Sequence, residues 1–420
     1  MNDLVIFLCR CLTVTLAVQV CLMLVFLWHL SSHHRNLLAD EELPKTAVIL
    51  CLRGADPFLS DCLQALLDQN YSQYDLKIVV DRMEDPAWTI ATETVQDHGA
   101  TNVQISPLRI IRKSCSLKCS SLIQAVTELD DSYKAIAFVD ADTIVHPNWL
   151  RELVTPLADP NVGATTGNRW YVPTGSYWGS LVRYMWNVSA VVQMYLYGIP
   201  WGGSLAVKTE VLHRTRLLDK WGKAFCEDTM MRQILGKHKI QIKFVPSLMI
   251  LNQEECNLPD LKTWMQRQLI FSRLYHPHWL TLLGSGIFTI LCPLVLSVLF
   301  VATLLTGQWY AAALSFSYYS SYVVALLLIV LFLEQGIQLV ISSDHQPSPQ
   351  LSVAVIFRML IAIPCTQWVY GLVFFSSLWI SKVKWRGITY KFKSPWKMRL
   401  VEYRPYQLSD QPVSPNISVN

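Results

Sequence analysis

The amino-acid sequence predicts an α/β domain on a mostly parallel sheet, attached to transmembrane helices. Three observations predict it. Apolar stretches of bilayer length stand at both ends of the chain, at residues 4–30 and again at about 280–305, 310–333 and 353–380. A polar block, residues 31–279, lies between them. Within that block, short uninterrupted apolar runs alternate with segments whose apolar residues recur at helical spacing, the pattern of β-α-β units.

Taken in order, residues 1–30 read as a transmembrane anchor. The stretch exceeds the roughly 20 residues that a hydrocarbon core requires. It lacks a small-residue cleavage site, and Trp28 and His29 stand where an interface would be. Ala47-Val48-Ile49-Leu50-Cys51-Leu52 is a buried strand. Phe58, Leu59, Cys62, Leu63, Leu66 and Leu67 form a helical stripe, with Asp56 as the expected cap. Leu76-Lys77-Ile78-Val79-Val80 is a second strand ending in Asp81. A helix after Asp85-Pro86 leads to the short strand Asn102-Val103-Gln104-Ile105. The next helix carries Leu122, Ile123, Val126 and Leu129, and the strand Ala135-Ile136-Ala137-Phe138-Val139 then runs straight into Asp140-Ala141-Asp142. Pro147 is expected in the first turn of a helix bearing Trp149, Leu150, Leu153 and Val154. Further on, Trp201-Gly202-Gly203-Ser204 is a tight glycine turn beside an apolar strand. Residues 258–275 mix basic and aromatic side chains as an interfacial helix does.

Residues 280–380 hold the three remaining apolar stretches, and 381–420 form a basic tail. Lys382, Lys384, Arg386, Lys391, Lys393, Lys397, Arg399 and Arg404 place that tail on the cytoplasmic side by the positive-inside rule. Three full crossings would put it opposite the polar block. Either one stretch is interfacial or re-entrant, or the rule fails here.

Composition excludes other classes. Hydrophobic residues make up 52% and charged ones 16%, and mean hydropathy is +0.29, too apolar for an ordinary soluble enzyme. A net charge of +4 supports no nucleic-acid partner. Of the 11 cysteines, Cys115 and Cys119 are a close pair with no second half of a zinc site, so reduced thiols are expected.

The chemistry gathers on acids that follow strands. A strand ending in Asp140-Ala141-Asp142 delivers two carboxylates to the carboxyl edge of the sheet, and Asp81 should project from the same edge. Hard oxygen ligands there suit Mg²⁺ or Mn²⁺ carried in with a diphosphate. A solvated turn is the alternative reading of the pair. Asp228, ahead of Met230, Met231, Ile234 and Leu235, reads either as a helix cap or as a carboxylate held still for use as a general base.

Arg53-Gly54-Ala55-Asp56-Pro57, Asp81, Lys118, Asp140-Ala141-Asp142, Thr166-Gly167-Asn168-Arg169-Trp170-Tyr171, Trp201-Gly202-Gly203-Ser204 and Glu227-Asp228 occur in that order. The set resembles a membrane-bound family 2 glycosyltransferase of the GT-A fold, of the ceramide glucosyltransferase-like branch. The likeness covers residues 1 to about 280, and Trp385-Arg386-Gly387 adds to it. It implies a cytoplasmic GT-A domain at 31–279 that uses a UDP-sugar with Mg²⁺ or Mn²⁺. Asp81 would meet the base or ribose. Asp140 and Asp142 would hold the donor and its metal, and Arg53 and Lys118 would contact phosphate. Asp228 would be the base of an inverting single displacement. Trp201, Gly202, Glu227, Arg267 and Phe271 would lie on the acceptor side.

One departure stands out. The family's (Q/R)xxRW pattern reads here Arg267-Gln268-Leu269-Ile270-Phe271, with Ile for the inner Arg and Phe for Trp. An aromatic platform survives and a cation is lost, for which Arg273 is a candidate substitute. A membrane lipid such as ceramide or diacylglycerol is the expected acceptor, and residues 177–197 are a candidate lining for its path, or else a buried helix of the domain. A processive glucan synthase and a non-catalytic membrane scaffold are the alternatives.

Overall fold

A computed structural model describes residues 2–31, 37–173, 177–342 and 350–407, so 408–420 of the expected tail lie outside it. Helix α1 (Asn2–Ser31) comes first. The domain then runs β1 (Thr46–Leu52), α2 (Leu59–Leu67), β2 (Tyr74–Val80), α3 (Pro86–His98), β3 (Val103–Pro107), α4 (Leu117–Thr127), β4 (Ala135–Val139) and α5 (Trp149–Val154). It continues through β5 (Val162–Tyr171), α6 (Trp178–Tyr197), β6 (Ser204–Lys208), α7 (Thr209–Thr215), α8 (Leu217–Trp221), α9 (Met231–Lys237), β7 (Gln241–Asn252) and α10 (Leu258–Tyr275). Helices α11 (Trp279–Leu305), α12 (Trp309–Ser342) and α13 (Val353–Trp379) follow, and strands β8 (Lys382–Trp385), β9 (Ile388–Ser394) and β10 (Lys397–Tyr403) close the described chain.

The seven-stranded sheet has the order β3-β2-β1-β4-β6-β5-β7. Every pair is parallel except those made by β6, which runs against both β4 and β5. The expected α/β class is therefore observed. Its physical basis is burial on both faces: Val48 and Leu50 point into one core with Leu63, Ile78 and Trp149, while Ile49 points into the other with Phe138, Leu122 and Trp221. The chain leaves β1 toward β2 and β3 on one side and returns with β4 on the other. The carboxyl ends of β1 and β4 thus flank a topological switch point, where open α/β sheets bind ligands.

Two local expectations shift. Asp56 does not cap α2; its carboxylate instead accepts from Phe58 N at 3.2 Å in a turn before the helix. Pro147 precedes α5, whose N-cap is Asn148.

Helices α1, α11, α12 and α13 are long and apolar enough to cross a membrane. Helix α13 lies against helices of the domain at several points. Arg358 stands over the Trp178 ring of α6 at 5.0 Å, and Tyr370 meets Trp186 of α6 with ring centroids 6.3 Å apart. Gln266 of α10 donates to Ser376 at 2.9 Å.

The residues after α13 fold into an antiparallel sheet of order β10-β9-β8. Its two-residue turn has Arg386 at φ 43° and Gly387 at φ 75°, the left-handed pair that a tight hairpin demands. Val383, Ile388, Tyr390, Phe392, Met398 and Leu400 enter the same core as Ile49 and Phe138. Leu400 N also donates to Lys113 O at 2.8 Å. The basic segment is thus docked on the domain, and both lie on one side of any membrane.

Candidate active site

The carboxyl ends of β1, β2 and β4 each deliver a charged residue: Arg53, Asp81 and Asp140. Arg53 and Asp81 are both buried and ion-paired to each other. At the start of α4, where Ser116 caps the helix through Cys119 N, Lys118 points back toward the sheet edge. Its Nζ lies 2.5 Å from Asp140 Oδ1 and 2.5 Å from Glu227 Oε1. One ammonium therefore serves two carboxylates. Burial works against the Asp140 charge, yet Lys118, with Arg169 and Arg267 nearby, holds that carboxyl below its usual range. Glu227 is left under-compensated: burial and the charges of Asp228 and Asp140 push it up to about 7 in spite of Lys118.

Asp142 stands differently. Burial, and then the charges of Asp140, Glu254 and Asp56, raise it to about 6. Its Oδ1 accepts from Thr143 Oγ1 at the long distance of 3.5 Å. Among the described residues no group of three or more His, Cys, Asp or Glu side chains is arranged to hold a metal. Two hard carboxylates with excess negative charge nonetheless fit a divalent ion that brings the rest of its shell as phosphate oxygens and water.

The loop before β6 meets the loop before α9. Gly202 N donates to Asp228 Oδ2 at 2.9 Å, and Asp228 Oδ1 accepts from Thr229 N at 2.5 Å and Thr229 Oγ1 at 3.0 Å. Asp228 is not the side-chain cap of α9, whose N-cap is Met230; its backbone oxygen accepts from Met231 N at 2.8 Å. The carboxylate is thereby free of the helix and pinned to the glycine turn. Only glycine fits there: a Cβ on Gly202 would run into Glu227 Oε1 and stand 3.2 Å from Asp228 Oδ2. Trp201 is buried beside the turn, its N donating to Thr166 Oγ1 at 3.0 Å.

Arg267 on α10 is half-buried, lies 4.3 Å over the Trp385 ring, and its buried Nε has no hydrogen-bond partner among the described residues. Burial, together with the charges of Arg169 and Arg386, brings it down to about 10. Ile270, where the family pattern has its inner Arg, is fully buried in the core below the tail sheet. Phe271 packs edge-on against Phe225 with centroids 5.1 Å apart, part of that packing rather than an open platform. Arg273 turns to the end of α13, donating to the carbonyls of Ser377, Leu378 and Ile380 at 2.5 Å each, so it supplies no cation to the carboxylates.

Sequence reasoning missed four residues. Arg169 sits over the rings of Trp264 (5.0 Å), Tyr171 (5.2 Å) and Trp201 (5.6 Å), and its charge reaches both Asp140 and Asp142. Glu254 pairs with the buried Arg183 at 2.7 Å. Arg386 donates to Arg53 O at 2.9 Å and Asp56 Oδ2 at 3.1 Å. Tyr403 donates to Asp81. Arg169 and Arg386 lie inside motifs noted in the sequence. Glu254 and Tyr403 carry no local signal.

A profile of the family described as "Glycosyl transferase family 21" matches residues 11–397. No curated protein matches the chain. Among solved structures it is similar to a mannosyltransferase from Pyrobaculum calidifontis in complex with GDP-Man and Mn²⁺, at 14% identity and a TM-score of 0.49, covering 89% of this chain and 99% of that one. It is also similar to glucosyl-3-phosphoglycerate synthase from Mycobacterium tuberculosis in complex with Mn²⁺, UDP-glucose and glycerol 3-phosphate, at 13% identity and a TM-score of 0.35, covering 57% and 85%. The resemblance seen in the sequence is to a family 2 enzyme of the ceramide glucosyltransferase-like branch, and the matching profile is that of family 21, itself ceramide glucosyltransferase-like.

Proposed function

The chain belongs to glycosyl transferase family 21 and is a glycosyltransferase, and from that premise we propose that it moves a hexose from a UDP-sugar, UDP-glucose foremost, to a hydroxyl of a membrane lipid. A ceramide-like lipid or diacylglycerol is the acceptor, and the domain faces the cytoplasm. The observation that carries this reading is the convergence of Asp140, Asp142 and Asp228 at one sheet edge, with Asp228 held by the Gly202 amide and Thr229.

In this reading Asp81 and Arg53 bind the nucleoside end. Asp142, with Asp140, would hold Mg²⁺ or Mn²⁺, which when bound offsets charge on the departing diphosphate. Lys118 keeps Asp140 ionised, and Arg169, Arg267 and Arg386 add positive charge around the phosphates. Asp228 takes the proton of the lipid hydroxyl as its oxygen bonds to the anomeric carbon. The bond from that carbon to the UDP oxygen breaks on the opposite face, and the anomeric centre is inverted. Trp201, Gly202 and Glu227 shape the acceptor side around Asp228. Rings running from Tyr171 and Trp264 to Trp186 and Tyr370 lead from Arg169 toward α13, a surface suited to a lipid.

The test is incubation of the purified protein with labelled UDP-glucose, Mn²⁺ and vesicles containing ceramide or diacylglycerol. A labelled glycolipid of low mass is expected. Asp228→Asn should lower its formation about 10²- to 10⁴-fold, the usual worth of a general base, while UDP binding persists. Insoluble polymer in place of glycolipid would overturn the lipid assignment.

A further inference from the structure

The end of β10 and the residues just past it lie on Asp81 and Arg53, at the carboxyl ends of β1 and β2. The Tyr403 hydroxyl reaches both oxygens of Asp81, at 3.0 and 3.1 Å. Arg53, ion-paired to the same carboxylate, donates to the carbonyl of Arg386 at 2.9 Å and to that of Arg404 at 2.5 Å. Tyr406 covers Gly54 so closely that a Cβ there would stand 2.8 Å from the ring's Cδ2, with two further ring atoms nearer still. Gly54 has φ +80°, so this surface needs glycine on both counts. The tail thus closes over the ends of β1 and β2, and Asp81 keeps only 2% of its surface exposed.

Resting on the reading in which Asp81 meets the base or ribose of the donor, we propose that Tyr403–Tyr406 is a strap that competes with the donor nucleoside for Asp81. Two features favour competition over a fixed wall. Asp81 has no free surface for a second donor while Tyr403 and Arg53 are on it. The hold on the strap is also local. Strand β10 is anchored by Met398 and Leu400 in the core and by the Lys113 carbonyl, and Glu402 and Tyr403 complete its ladder against Thr389 and Ile388. The Tyr403 and Tyr406 side chains are only half-buried and Tyr406 lies past the ladder, so the two rings can swing off Asp81 and Gly54 while the strand pairing stays. A closed strap lowers apparent donor affinity by the fraction of molecules that are open, and loosening it raises that affinity.

The experiment is calorimetric binding of UDP with Mn²⁺ to the full chain in detergent, for wild type, Tyr403→Phe and Tyr406→Ala. Tyr403→Phe removes one hydroxyl and leaves the ring, so folding is not at stake. Both variants should bind UDP more tightly, by up to roughly ten- to a hundredfold, the worth of one charge-assisted hydrogen bond. In wild type, hydrogen exchange of a peptide spanning 401–407 should quicken when UDP is added. Weaker binding by the variants, or slower exchange with UDP, would make the segment a wall of the pocket and overturn the strap. Wild type that binds UDP with variants no different sinks the strap alone. If none of the three binds UDP, the donor reading falls with it.

Discussion

Gly202→Ala puts the placement of Asp228 to the test without touching a carboxylate. The new methyl would meet Glu227 Oε1 well inside van der Waals contact and reach 3.2 Å from Asp228 Oδ2. Glu227 cannot simply retreat, because its Oε1 also holds Lys118 at 2.5 Å. The turn must therefore shift, and the 2.9 Å bond from Gly202 N to Asp228 Oδ2 lengthens or breaks. A hydrogen bond to a charged group is worth about 1.5–3 kcal/mol. At about 1.4 kcal/mol per decade that is a loss of roughly 10- to 100-fold, in line with what a 1 Å misplacement costs a catalytic group. The assay is initial-rate kinetics with UDP-glucose and lipid varied separately. The fall should appear in kcat, with UDP binding affected far less, since Asp81, past β2, stands three strands away from the glycine turn before β6. Gly236→Ala on α9, where an added Cβ meets nothing within 4 Å, should keep the wild-type rate. A folded Gly202→Ala enzyme with kcat near wild type would refute the placement of Asp228 as base.

Glu227 makes stability pH-dependent. Folding lifts it from an ordinary 4.5 to about 7, so the folded chain binds its proton more tightly than the unfolded chain does, and stability falls as pH rises between those values. At about 1.4 kcal/mol per pH unit the fall is at most about 3.5 kcal/mol. Unfolding midpoints should therefore drop from pH 5 to 7.5 in wild type, and Glu227→Gln should flatten that slope. Arg273→Ala, which uncaps the end of α13, should cost on the order of 1–3 kcal/mol of stability and leave donor kinetics near wild type. A rate collapse with an unchanged midpoint would return Arg273 to the site. In sealed vesicles, protease should reach the catalytic domain and a C-terminal tag from the same face, and a tag inserted after Gly307 from the other. Tags on opposite faces for domain and C-terminus would contradict the docked tail sheet.

What the sequence disclosed and what it hid follow from how each strand is buried. Strands β1 and β4 are covered on both faces, so each is a bare apolar run, and the acids after them stand out. Strand β5 is equally buried, yet it is built from Thr165, Thr166 and Asn168. Thr165 donates to Leu153 O at 2.5 Å and Thr166 to Ser204 O at 3.2 Å; satisfied polar groups of this kind do not read as a core strand. The Asp81–Tyr403 contact spans 322 positions, and no local pattern announces it. The tail is the instructive case. Lys382, Lys384, Lys391, Lys393, Lys397 and Arg399 alternate with Val383, Tyr390, Phe392, Met398 and Leu400, a period of two that marks half-buried strands. Counting its cations points to a free cytoplasmic tail, whereas following their spacing points to a sheet. That difference decides the topology. A sheet seated on the domain cannot be separated from it by three crossings, so an even number of α11, α12 and α13 traverse the bilayer. Helix α13 is joined to α6 and α10 by Arg358, Tyr370, Ser376 and the carbonyls that Arg273 holds, and α12 is joined to α6 and β5 by Glu334, which accepts from Tyr184 at 2.6 Å and Trp170 at 2.8 Å. The positive-inside rule then holds for the tail in the reading that sets the domain in the cytoplasm.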